Sequence, residues 1–265
     1  MKRSGLILIC VLVLLFPVSV FAQEARIIDI RGRVTVKLKD KADWERARID
    51  MLLNREAQVK TDGKSSCTLA FDGELKNIMT VKENSHIKIE NLAPANIFLP
   101  EGRVFTLIRN LSKSEEFSVR TPTAVAGARG TGWITDFHAM LTSVLCHDNR
   151  VFVDGLDAAG NVTEEQDLSN GWGLKVGEGG RFSDVFILSD DDRRLWDRFE
   201  DNVLELTGEE SEDWEAGNMG ELRREQRQDF SDIKEEARRS EAEEAREENR
   251  GGGTVGGGHS ITIGH

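Results

Sequence analysis

Chemistry in this chain of 265 residues would have to start from three cysteines, five histidines and one glycine-rich run. His86, His138 and His147 are scattered over strand-like or turn-like sequence, and His259 and His265 lie in a tail. No HExxH spacing, nucleophile elbow or paired metal-ligand motif joins them. Cys67 and Cys146 each sit in an alternating run that points them inward. Two readings stay open for them: a disulfide in an exported chain, or two buried free thiols. Two lone cysteines without histidine spacing do not make a zinc site. The run from Asn170 to Gly180 has the glycines of a phosphate loop but lacks a Gly-Lys-Ser/Thr ending and a following helix. These residues imply no catalytic group, no metal and no cofactor, and the chain is read as non-enzymatic.

The elements that must hold any functional surface are arranged around Thr121-Pro-Thr-Ala-Val-Ala-Gly-Ala-Arg-Gly-Thr-Gly-Trp133. Pro122, with no N–H to donate, suits the start or edge of a strand. Gly127, Gly130 and Gly132 allow a bend or a close backbone approach. Arg129 is a lone charge among small residues, so burial would require a carbonyl or carboxylate partner. The segment resembles the signature of the FecR family of extracytoplasmic regulatory domains. Thr121, Pro122, Gly127, Arg129, Gly130, Thr131 and Trp133 carry the signature here, with Gly132 where an acidic residue is usual. The resemblance spans about Ala25 to Phe182. It implies a β domain that recognises another protein, and Arg129 is expected to be structural, with Arg129→Ala lowering thermal stability.

The first residues, Met1-Lys2-Arg3, precede an apolar run from Leu6 to Phe16 and then Val20-Phe21-Ala22. That pattern predicts a signal peptide over residues 1–22, cleaved after Ala22, and hence a periplasmic or secreted protein. An uncleaved inner-membrane anchor is the alternative, which would restore transmembrane signalling. FecR-like transducers carry a cytoplasmic anti-sigma segment before their span. Only Met1-Lys2-Arg3 and two small residues precede the apolar run here, so direct sigma-factor regulation is not expected.

Charge is distributed unevenly. Residues 1–189 hold 24 acidic and 24 basic side chains, whereas residues 190–250 hold 23 acidic and 11 basic, which accounts for the net charge of −12. No basic stripe points to nucleic acid. Short alternating runs, among them Ile28 to Leu38, Cys67 to Phe71 and Ile87 to Ile89, predict an all-β body over 25–188 built as a sandwich, barrel or solenoid. Turns are expected at Asp72-Gly73, at His147 to Asn149 within a strand pair from Thr142 to Val153, and at Asp157 to Asn161. Trp44 to Leu53 reads as a turn or a single helical turn.

Helix is predicted over 189–208. Ser189 is the N-cap, Gly208 the stop, and Leu195, Phe199, Val203 and Leu206 form a stripe that docks on the β body. An acidic charged segment follows over 209–250, with a marginal helix from Glu221 to Asn249, and then a glycine-rich tail over 251–265. The functional expectation is protein recognition, regulation or scaffolding at the cell envelope. A second reading, binding of envelope polysaccharide, rests on Trp133 and Trp172 being exposed.

Overall fold

The computed structural model describes residues 24–109, 111 and 116–208. The predicted leader, acidic segment and glycine-rich tail lie outside the described residues. Among the described residues no helix is long and apolar enough to cross a membrane.

Strand follows strand for most of this length. The first five are β1 (Ala25–Arg31), β2 (Val34–Lys37), β3 (Glu45–Arg46), β4 (Leu52–Leu53) and β5 (Gln58–Thr61). Then come β6 (Ser66–Ala70), β7 (Asn77–Val81), β8 (His86–Leu92), β9 (Ala95–Ile108), β10 (Phe117–Arg120) and β11 (Ala124–Ala128). The last six are β12 (Gly132–His138), β13 (Leu141–Cys146), β14 (Arg150–Leu156), β15 (Val162–Ser169), β16 (Trp172–Val176) and β17 (Phe186–Ile187). One helix, α1 (Asp190–Thr207), follows.

Of the three expected β architectures the chain adopts a two-layered one. One sheet has the order β4-β1-β6-β7-β9-β12-β13-β16-β17. The other has the order β3-β2-β5-β8-β9-β10-β11-β14-β15. The long β9 belongs to both. Its residues Ala95 to Phe98 pair with β10, and its residues Gly102 to Leu107 pair with β12. The switch falls at Gly102, whose φ is +98° and whose missing Cβ would lie 2.2 Å from Ser85 Oγ. Both facts demand glycine.

The core lies between the layers and draws Ile27, Leu69 and Val144 from the first sheet and Val36, Ile89 and Val153 from the second. Strands of the second sheet alternate buried with partly exposed, as in β2, β8 and β10, because their other face meets water. The first sheet is covered on both faces. On its outer side Ala70, Ile78, Phe105, Leu107 and Ile134 pack against Trp196, Phe199 and Val203 of α1. All five residues of β7 are therefore buried. Full burial of such a helix side chain stabilises by roughly 1.5–3 kcal/mol.

The helix is delimited as its sequence implies. The Ser189 side chain accepts from Asp192 N–H, Asp192 accepts in return from the Ser189 N–H, and Gly208 closes the end in a left-handed conformation. β1 carries a register shift between Ile27 and Asp29, so Ile27 and Ile30, three residues apart, both pack on the main core, while Ile28 packs toward α1.

Two local expectations need correction, and the two readings left open for the cysteines resolve to one. Trp44 to Leu53 holds no helical turn: it contributes β3 and β4, with Asp50 in a left-handed turn between them. The strands on either side of His147 to Asn149 do not pair with each other, because β13 lies in the first sheet and β14 in the second. Cys67 and Cys146 are buried and free. They stand on β6 and β13, four strands apart in one sheet, which is roughly 19 Å at the usual strand spacing. A disulfide needs Cα atoms within about 7 Å.

Candidate functional site

The signature segment is the crossover that carries the chain from one sheet to the other. It begins with a buried hydroxyl network. Thr121 Oγ1 accepts from Ala124 N–H at 3.0 Å and lies 2.6 Å from Thr142 Oγ1. Thr142 Oγ1 is also 2.7 Å from Thr123 Oγ1, which donates to the Val176 carbonyl at 3.2 Å. These bonds tie the turn at Pro122, in front of β11, to β13 and β16 of the facing sheet. Buried hydroxyls of this kind are costly unless paired, so the network fixes the crossover in one position.

Along β11, Gly127 faces Phe152, and a Cβ there would come within 2.2 Å of the ring. The expected close approach is real at Gly127. At Gly130 it is not: nothing lies within 4 Å of the position its Cβ would take. The tight glycine is instead Gly132, whose Cβ would meet Trp196 Cζ2 at 2.3 Å. Thr131 fastens the turn, donating from Oγ1 to the Asp148 carbonyl and accepting from Ile108 N–H at 2.9 Å.

Two side chains lie on the side opposite to that expected. Trp133 is wholly buried, with Nε1 donating to Thr135 Oγ1 at 3.1 Å and its ring edge-on to Phe117. Trp172 is partly buried and packs against the main core. Trp133 therefore offers no stacking surface to a sugar, and the polysaccharide reading loses its motive. Arg129 is exposed, its side chain 67% accessible, and its carboxylate partner Glu116 is 3.7 Å away. An exposed pair of that length contributes about 0–1 kcal/mol at most, so Arg129→Ala should leave stability nearly unchanged rather than lower it. Gly130 is exposed beside it, and its carbonyl accepts from Asn149 Nδ2 at 2.9 Å. Arg150 and Asp167, paired at 3.4 Å and also exposed, extend the charged surface along the same end of β14 and β15.

The groups with potential chemistry are dispersed. Burial pushes the Cys67 thiol up to about 12, with nearby Asp29 adding to it. Cys146 is likewise raised to about 12 by burial, and its Sγ donates to the Asp148 carbonyl at 3.3 Å. Neither is a thiolate nucleophile at neutral pH. His86 bonds Gln58 at 2.9 Å and meets Trp44 edge-on, and burial lowers its pKa. His147 stacks on Trp196 with ring centroids 4.8 Å apart and planes within 6°. The residue keeps some exposure, but its Nε2 is enclosed without a hydrogen-bond partner among the described residues. It is the enclosure of Nε2 that governs the proton. Burial lowers the His147 pKa to about 3, with Asp192 opposing and Arg193 reinforcing the shift. Among the described residues no group of three or more His, Cys, Asp or Glu side chains could hold a metal ion.

Residues 57–152 match the family model described as FecR protein, so the chain carries a FecR domain across the middle of its β body. No curated protein matches the chain. Two crystal structures of a protein provisionally described as an anti-sigma factor, from Parabacteroides distasonis ATCC 8503, are similar to it, each with 15% identity and a TM-score of 0.43. The match covers 52% of this chain and 63% of that one.

Proposed function

We propose that this chain is a non-enzymatic FecR-domain protein that works outside the cytoplasm by binding another protein of the cell envelope, in regulation or scaffolding. The observation that carries the reading is the split within the signature. Thr121, Gly127, Thr131 and Trp133 are buried in the crossover, while Arg129 and Gly130 are left exposed at its tip. A rigid crossover presenting an arginine suits recognition of a carboxylate or a backbone carbonyl on a partner. The FecR match supports a regulatory role, and the leader pattern from Met1 to Ala22 supports export.

The test is site-specific photo-crosslinking in the native host. A photoreactive residue at Gly130 should yield a discrete adduct that is absent when the probe sits at Glu164 on β15. Arg129→Glu should abolish the adduct at an unchanged melting temperature. Equal labelling from both positions, or an adduct indifferent to Arg129→Glu, would refute recognition through the tip. N-terminal sequencing of the same material reports on placement. A chain starting at Gln23 supports an exported module, and a membrane-bound chain starting at Met1 supports an anchored regulator.

A further inference from the structure

A cleft of about 130 Å³ opens between α1 and the outer face of the first sheet, lined on the helix side from Leu195 to Leu206. In the liquid a water takes about 30 Å³, so the space holds several waters or one small solute. Its floor is polar, with Thr68 of β6 and Thr80 of β7 bonded through their hydroxyls at 3.0 Å and Ser66 beside them. Three cations converge on it from three elements: Arg31 at the end of β1, Lys82 just past β7, and Arg198 on α1.

Compensation among these charges is incomplete. Arg31 has Asp29 at 3.3 Å and donates to Asn202 Oδ1 on the helix at 3.0 Å. The Lys82 ammonium lies 5.1 Å above the Phe105 ring. Arg198 makes no ion pair among the described residues. Among the described residues that line the cleft, three cations stand against one carboxylate, Asp29, which leaves an excess of two positive charges. Burial lowers the Lys82 pKa, and Arg31, Arg103 and Arg198 lower it further against the opposing pull of Glu83, so the excess is felt at the ammonium. Arg31 and Arg198 are exposed and Lys82 is partly buried between them, and like charges gathered around a partly buried ammonium cost stability unless something neutralises them.

We propose that this cleft is a binding site for a doubly charged oxyanion, namely a phosphate group, held between the β sheet and α1. The excess of two positive charges matches a dianion, whereas a single carboxylate would leave one charge uncompensated. The Arg31 and Arg198 guanidiniums supply planar forks, Lys82 a point charge, and Ser66 and Thr80 hydroxyl donors. Because Arg198 rides on α1 while Arg31 and Lys82 belong to the sheet, an occupied site fastens the helix to the sheet. Ligand bound only in the docked state raises the stability of that state by mass action.

The direct experiment is calorimetric titration of the full chain with inorganic phosphate, ionic strength being held constant with sodium chloride. Saturable binding is expected, together with a rise in melting temperature, and acetate under the same conditions should bind at least about tenfold more weakly. Arg198→Gln changes a helix side chain that has no ion pair among the described residues and should reduce phosphate affinity by about tenfold or more with the circular dichroism unchanged. Lys82→Met provides an independent second variant. No saturable heat, or equal affinity in wild type and Arg198→Gln, would overturn the assignment. Co-sedimentation with vesicles containing phosphatidic acid, whose terminal phosphomonoester can carry the second charge, then identifies the source of the group. Vesicles that bring down wild type but not Arg198→Gln place the phosphate on a lipid headgroup. Vesicles that leave both in solution, with phosphate binding retained, place it on a soluble molecule.

Discussion

Adding one methyl group to the sheet at Gly132 should dislodge a tryptophan on the helix. The Gly132 φ lies outside the left-handed region, so the backbone of β12 accepts alanine without strain. The obstacle is steric. An alanine Cβ would stand 2.3 Å from Trp196 Cζ2 and 2.7 Å from Cη2, closer than any real carbon contact. The indole cannot slide aside freely, because His147 stacks on it at 4.8 Å and Phe199 packs at 4.9 Å. Overpacking of this kind costs about 1–3 kcal/mol, while emptying the socket with Trp196→Ala should cost about 3–5 kcal/mol. In the Trp196→Ala background the clash is gone, and Gly132→Ala should then cost close to nothing. Urea unfolding of the four proteins, followed by far-ultraviolet circular dichroism, should give a coupling energy of about 1–3 kcal/mol. Costs that add to within about 0.5 kcal/mol would show that Gly132 and Trp196 do not share one space.

Two further outcomes follow from buried titratable groups. The ordinary histidine value is 6.5 and that of His147 in the fold is about 3. Between those values the unfolded chain binds a proton that the folded chain refuses, so acidification through this window should cost up to about 1.4 kcal/mol per pH unit, with no contribution above the window. His147→Phe preserves a ring against Trp196 and should show a shallower loss of stability between pH 6.5 and 4, whereas parallel curves would remove His147 as the cause. Cys67 and Cys146, both raised to about 12 by burial, should resist a thiol-reactive dye at pH 8 in the native protein and react on denaturation. Prompt labelling of the folded chain would contradict their burial.

Sequence reveals this fold where one face of a strand meets water. β2, β8 and β10 alternate because the second sheet is open on its outer side, and they are legible from spacing alone. β7 and the second half of β9 do not alternate, since α1 closes the outer side of the first sheet and buries residues of both parities. Which strands pair is harder still. The turn from His147 to Asn149 looks like a hairpin turn, yet it crosses between layers, because the local residues specify a reversal and not its destination. The basic cleft gave no signal at all, since Arg31, Lys82 and Arg198 come from three elements distant in the chain and each reads as an ordinary surface charge.

The signature itself shows how composition misleads about direction. A tryptophan beside a glycine-rich turn suggests an exposed platform, and an arginine among alanines suggests a buried anchor. The structure reverses both, because the segment is a crossover: its ends are strands that must fill the core, and its tip is the one part that clears the sheets. Trp133, as the second residue of β12, is committed to the interior by the pleat, and Arg129, past the end of β11, is released from it. The helix obeys a similar constraint. Its apolar stripe alone marks Leu195, Phe199, Val203 and Leu206 for docking, with Trp196 beside them, but the register of α1 is set by where an indole can lie against the sheet. That place is Gly132, where β12 carries no Cβ and the ring fits between His147 and Phe105. Neither residue announces the contact by itself, and the fit exists only once the crossover and the helix have both been placed.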